Sequence, residues 1–119
     1  MKVIIAGSRD ITDYQFVKEA IEAAIETSGF VITEVISGCA KGVDTLGEKW
    51  ARENNIPIAH FPADWKQYGK RAGHLRNSQM ADYGEALIAA RIDETPGTTN
   101  MIEIAEKKGL KIYKEFYPF

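Results

Sequence analysis

The sequence predicts an α/β fold: one three-layer domain built on a mostly parallel sheet of about five strands. Three observations carry that expectation. Short β-branched runs alternate with longer segments of helical spacing. The strand runs are almost continuously apolar, as in strands buried on both faces. And 119 residues suffice for one core but not for two.

Each element has its own reason. Residues 2–6 form a compact apolar run that stops at Gly7-Ser8-Arg9-Asp10, which reads as a strand entering a turn. Beyond it, Val17, Ala20, Ile21, Ala24 and Ile25 share one helical face, with Thr12 or Asp13 as N-cap and Gly29 as the stop. Residues 31–36 read as a second strand, ending at Ser37-Gly38-Cys39-Ala40-Lys41-Gly42. Val43, Leu46, Trp50 and Ala51 then recur at helical spacing, with Glu48 and Arg52 set for an i,i+4 pair on the outer face. Residues 56–61 make a third strand, since Pro57 is tolerated at a strand start. The polar and aromatic stretch 62–78 has no clean period; a helix begins inside it near Gly73 and runs to about Tyr83. Residues 86–90 give a fourth strand. The segment 93–100 is a turn opening a helix that carries Met101, Ile104 and Ala105 inward and ends at Gly109. Residues 110–113 are the fifth strand.

Composition excludes several classes. With 45% apolar and 27% charged residues the chain is globular rather than disordered. No apolar run is long enough to span a bilayer, and the N-terminal run is shorter than a signal-peptide core, so a soluble cytoplasmic protein without a membrane partner is expected. The single Cys39 excludes an intramolecular disulfide and a multi-cysteine zinc site; neither metal nor cofactor is expected. The 15 Lys+Arg against 17 Asp+Glu, a net charge of −2, lacks the cationic field of duplex binders, so nucleic acid is not the expected partner.

In an open parallel sheet, ligands bind beyond the carboxyl ends of the strands, and the unusual residues fall just there. Gly7, Ser8, Arg9 and Asp10 follow the first strand; Ser37, Gly38, Cys39, Ala40 and Gly42 follow the second; Asp64 and Trp65 follow the third; Gly97, Thr98 and Thr99 follow the fourth. Glycines permit close backbone approach, and a helix that follows offers free N–H groups and its positive dipole end to an anion. No Walker A or G-x-G-x-x-G sequence is present, which argues against a conventional triphosphatase or dehydrogenase. Arg76, followed by Asn77 on a helical segment, suits bidentate phosphate recognition. Lys66, Lys70 and Arg71 read as a solvated face, and His74 as a surface residue. Asp10 and Asp64 read first as helix caps or ion-pair partners. Asp44 either favours its helix N-terminus or accepts from ribose hydroxyls. Trp65 stacks on a base or belongs to a lid or subunit contact. The helix N-terminus near Cys39 would lower its pKa, but with no partner base it reads as a small packing residue.

The ordered set Gly7-Ser8-Arg9-Asp10, Ser37 to Asp44, Pro62-Ala63-Asp64-Trp65, Ala72 to Ala81 and Gly97-Thr98 resembles the YspA-type (cpYpsA-related) branch of the SLOG superfamily, which unites the DNA-processing protein DprA with the Lonely Guy enzymes. The resemblance runs from Lys2 to about Tyr113. It implies a Rossmann-like fold that binds nucleotides or nucleotide-derived molecules. It also implies a phosphate on the loop from Ser37 to Asp44, Arg76 at the position of a Lonely Guy catalytic arginine, and Gly97-Thr98 at the start of a second glycine motif. The glutamate those enzymes carry after that Gly-Thr is replaced by Thr99, Asn100 and Met101, and Glu103 stands two residues later.

The expected ligand is therefore a nucleotide-derived small molecule, with phosphate on the glycine loops and Arg76, ribose near Asp44 and base toward Trp65. If the chain turns its ligand over, the reaction is N-glycosidic hydrolysis, with Arg76 stabilising charge and Asp10, Asp44 or Glu103 assisting water or the oxocarbenium centre. The alternatives are a non-catalytic sensor or sequestering protein for a nucleotide signal, and DprA-like single-stranded DNA binding. A homo-oligomer is expected, with the loop from Trp65 to Arg71 reaching a neighbour's pocket.

Overall fold

The structure is a computed structural model and describes residues 1–118. In chain order the elements are β1 (Lys2–Gly7), α1 (Tyr14–Ser28), β2 (Glu34–Ser37), α2 (Val43–Glu53), β3 (Ile58–His60), α3 (Trp65–Tyr68) and a 3-10 turn (Gly69–Arg71). Then follow α4 (Ala72–Tyr83), β4 (Ala86–Arg91), α5 (Pro96–Lys107) and β5 (Lys111–Phe116). The strands form one sheet in the order β3-β2-β1-β4-β5, and every neighbouring pair is parallel. The fold is the expected three-layer α/β architecture.

Alternation along the strands divides the core in two. Val3, Ile5, Val35 and Ile88 face a layer containing Phe16, Val17 and Ile21 of α1 and Trp50 and Ala51 of α2. Ile4, Ile36, Leu87 and Ala89 face the opposite layer, with Met80 and Ala81 of α4 and Met101, Ile102 and Ala105 of α5. β4 is buried at all six positions, which is why its sequence reads as an unbroken apolar run up to Arg91.

Several boundaries move, each for a local reason. Val31 is 67% exposed, and β2 starts only at Glu34, where pairing with Lys2 begins. The preceding segment is tied instead by the Thr33 amide donating to the Met1 carbonyl at 2.9 Å. β3 shortens to three residues because it is an outer strand, paired on one side with β2. The irregular stretch 62–78 resolves into α3, the 3-10 turn and the start of α4 one residue before the expected Gly73. α5 begins at Pro96, inside the expected turn, because a proline at the first helical position has no amide to leave unpaired. β5 runs to Phe116, three residues beyond the expected Tyr113, since the charged residues alternating along it sit at a sheet edge. Asp13 is the cap of α1, accepting from the Phe16 amide at 3.2 Å, and Gly29 ends that helix at φ 70°.

Candidate functional site

The chain runs outward from β1 through β2 to β3, then crosses back to place β4 on the other side of β1. The carboxyl ends of β1 and β4 therefore diverge into loops on opposite sides, leaving a crevice between them. A cavity of about 320 Å³ opens there. Its walls come from three of the loops that the sequence singles out, with the helices that follow two of them, and from α4. The β1 loop supplies Gly7, Ser8, Arg9 and Asp10, and the β2 loop and α2 supply Ala40 and Asp44. α4 supplies Arg76, Asn77 and Met80; the β4 loop and α5 supply Ile92, Asp93, Thr95, Gly97, Thr98 and Met101.

Two glycines in these loops act for different reasons. Gly42 has φ 77°, and a Cβ there would lie 2.3 Å from the Ser8 carbonyl oxygen, so it lets the β2 loop pack against the β1 loop. The Val43 amide completes that seam by donating to the same Ser8 oxygen at 3.2 Å. At Gly97, by contrast, an added Cβ would meet nothing within 4 Å. The start of α5 is open to the cavity, and the Gly97 and Thr98 amides belong to a first turn that has no intrahelical acceptors for them.

Arg76 is the central cation. Its Nη1 donates to the Gly38 carbonyl at 2.5 Å and its Nε to Asn77 Oδ1 at 3.0 Å. Asn77, 4% exposed, passes the constraint on: its Nδ2 donates to Asn100 Oδ1 at 2.9 Å and to the Gly97 carbonyl at 3.4 Å. The guanidinium on α4 is thus held in register with both the β2 loop and the start of α5. Burial pulls the Arg76 pKa below its ordinary value, while Asp44 pushes it back up.

Asp44, 5% exposed, accepts from the Ala40 amide at 3.2 Å. Burial raises its pKa to about 6, against the opposing effects of the Ala40 hydrogen bond and the charge of Arg76. A carboxyl that titrates near neutrality beside an arginine can accept or donate a proton at the cavity wall.

The loop after β2 rests on Glu48. Its Oε2 accepts from the Ser37 hydroxyl at 2.5 Å, and the Ser37 oxygen accepts from the Cys39 amide at 3.1 Å. Glu48 Oε1 also lies 3.7 Å from both Arg52 Nη1 and His60 Nε2, so it is not confined to an outer-face pair with Arg52. Ser37 supports the loop from below. Cys39 departs from expectation on two counts: it is exposed, with φ 65°, and its thiol pKa is raised by desolvation and by Glu48 rather than lowered by the helix end.

A second cleft of about 130 Å³ is walled by Gly38, Cys39, Pro62, Ala63 and Trp65, and it shares Arg9, Ala40 and Arg76 with the main cavity. Trp65 is 52% exposed and stands against α4, where a Cβ on Gly73 would be 3.4 Å from its ring.

Five expected site residues line neither space: Ser37 and Gly42, which support the β2 loop, and three more. Asp64 caps α3, accepting from the Gln67 amide at 3.1 Å. Thr99 turns toward the sheet to accept from Arg91. Glu103 is exposed on α5, because two further residues of helix rotate it away from the face that carries Thr98 and Met101.

Arg91 was not anticipated. It is 5% exposed, and it donates from Nε to the Asp93 carbonyl at 2.7 Å and from Nη2 to the Thr95 carbonyl at 3.2 Å and Thr99 Oγ1 at 2.7 Å. One buried cation thereby ties down the loop that delivers Gly97 and Thr98. The available signal was an arginine directly continuing a wholly apolar strand, where a buried charge requires local acceptors. Asn100, the acceptor for Asn77, carries no such mark.

Among the described residues no group of three or more His, Cys, Asp or Glu side chains is arranged to hold a metal ion, and no helix is long and apolar enough to cross a membrane.

The profile of the YAcAr family, described as the YspA, cpYpsA-related SLOG family, matches residues 1–68, which takes in β1 to α3. The Gene 61 protein of Mycobacterium phage D29 is 32% identical over 117 residues, covering 93% of each chain. The X-ray structure of DNA processing protein A (DprA) from Streptococcus pneumoniae is similar with a TM-score of 0.70 and 21% identity over 95% of this chain. The chain spans about half of that structure, 49% of its length, and the likeness is one of fold.

Proposed function

The chain belongs to the YspA, cpYpsA-related SLOG family, and on that premise we propose that it binds a nucleotide-derived small molecule in the crevice between β1 and β4. The observation that carries this reading is the meeting of Arg76, the open N-terminus of α5 and the buried Asp44 around one cavity. A phosphate group accepts from the Gly97 and Thr98 amides and from Arg76. Ribose hydroxyls donate to Asp44, with Asp10 of the β1 loop and Asp93 of the β4 loop as further acceptors lining the cavity. The base extends past Arg9 and Arg76 into the second cleft, toward the face of Trp65.

A cavity of about 320 Å³ suits a mononucleotide-sized ligand. Calorimetry with a panel of nucleoside monophosphates and nicotinamide dinucleotides tests the reading. Saturable binding that Arg76→Ala weakens at least about tenfold supports it, and no binding by any member of the panel ends it.

The second reading is catalytic, and the raised pKa of Asp44 favours it. In this reaction a water oxygen bonds to the anomeric carbon as the C–N bond breaks. The bonding pair leaves with the base nitrogen, which takes a proton, and the attacking water loses one. Asp44 takes the water's proton or stabilises the cationic sugar, and Arg76 holds the phosphate. Glu103 has no part in it, being outside the cavity. Chromatography of the same incubations separates the two readings: released base means hydrolysis, and intact bound ligand means a sensor or sequestering protein.

A further inference from the structure

The two edges of the sheet are unequal. One is β3, three residues long; the other is β5, six residues long and, among the described residues, bonded only to β4. The Lys111 amide donates to the Glu85 carbonyl at 3.3 Å and the Tyr117 amide to the Arg91 carbonyl at 2.8 Å, so the odd-numbered residues of β5 aim their backbone groups at β4. In a parallel ladder the alternate residues, Ile112, Lys114 and Phe116, then turn both N–H and C=O toward the free edge. Such an edge is a template for another strand.

We infer that this edge pairs with a second copy of the chain, β5 antiparallel to β5, to form one continuous sheet across a two-fold axis. A two-fold normal to the sheet keeps each side chain on its own face, and hydrogen-bonded pairs must join outward-facing residues, so only alternate registers are open. Centring on Lys114 opposes two like charges. Centring on Tyr113 opposes Lys111 to the partner's Glu115 and Leu110 to the partner's Phe116, each twice. The second register alone satisfies both charge and apolar surface: Phe116 is 55% exposed, and Leu110 lies on the same face of the sheet. The seam lies at the opposite edge from Trp65 to Arg71, so that loop stays free rather than completing a neighbour's pocket. The inference concerns assembly, and its outcome is separate from that of the ligand reading.

Sedimentation of the full chain tests it. A dimer is expected. Lys111→Glu sets like charges opposite each other at both ends of the seam and weakens it about tenfold or more, and adding Glu115→Lys restores it. Lys114→Pro removes an outward amide without touching the ladder to β4, and it also weakens the dimer. In a Cys39→Ser background, Tyr113→Cys cross-links across the axis, since directly opposed residues that are not hydrogen-bonded have Cα atoms about 4.5 Å apart. Lys114→Cys, whose direct opposite is the partner's Ile112, does not. A monomer at every concentration, or a dimer indifferent to the charge reversal and its restoration, overturns the inference.

Discussion

Arg76 Nη1 donates to the carbonyl oxygen of Gly38 at 2.5 Å, fastening α4 to the loop after β2 across the mouth of the second cleft. The contact exists because Gly38 has no side chain. A Cβ there would lie 2.7 Å from Nη1 and 2.8 Å from Asp44 Oδ2, so the glycine is what lets a cation and a carboxylate converge on one backbone segment.

Gly38→Ala is therefore expected to act on binding more than on folding. The far end of Arg76 can swing aside, so stability falls by about 1–2 kcal/mol, while the displaced guanidinium lowers ligand affinity at least about tenfold. Urea denaturation and calorimetry on the same preparation measure the two effects. An equal loss in both, or none in affinity, contradicts the assignment of Arg76.

Asn77 connects Arg76 to the start of α5 through Asn100 and Gly97. Asn77→Ala leaves buried groups without partners and is expected to cost about 2 kcal/mol. Asn77→Asp keeps an acceptor for Arg76 Nε but turns a carboxylate oxygen toward the Gly97 carbonyl and Asn100 Oδ1, so it should lose affinity for anionic ligands as well. Denaturation midpoints and binding isotherms of the pair distinguish the two effects.

Asp44 makes stability depend on pH. Its carboxyl has an ordinary value of 3.8 and a folded value of about 6, so the folded chain binds this proton more tightly than the unfolded one. The stabilisation is complete below about pH 4 and is lost as pH rises through about 6, amounting to roughly 3 kcal/mol. Asp44→Asn removes the dependence. The stability of wild type minus that of Asp44→Asn should thus fall with rising pH across this window, and a flat or rising difference would contradict the burial argument.

Arg91 holds the segment from Asp93 to Thr99 from beneath. Arg91→Lys supplies one point charge where a planar fork served three acceptors, and Arg91→Met supplies none; losses of about 1 and about 2–3 kcal/mol are expected. Faster amide hydrogen exchange should be concentrated at residues 92–99. Exchange that rises uniformly over the sheet would show that Arg91 stabilises the whole core instead.

Much of the fold was legible because burial on both faces leaves a plain mark. The β4 run and the α1 face, with Asp13 and Gly29 at its ends, are local patterns, and local patterns survive in a linear string. Where local pattern misled, partners decided. Val31 looks like strand, yet no strand lies beside it and it faces solvent. β5 looks too polar beyond Tyr113, yet β4 extends alongside it to Phe116. Glu103 was close in sequence to the site, but a helix converts two residues of spacing into a different direction.

The sequence by itself determined which segments become strands and helices and which loops carry glycine, hydroxyl and charge, because those properties depend on nearest neighbours and on burial period. Only the tertiary structure decided that Gly42 serves packing while Gly97 faces open space, that Asn77 and Arg91 hold the cavity wall, and that Cys39 is exposed with a raised rather than lowered pKa. Each of these depends on atoms brought together from distant parts of the chain, by a sheet whose strand order turns back at β1. Distance in space, not spacing along the chain, sets a hydrogen bond or a desolvation cost.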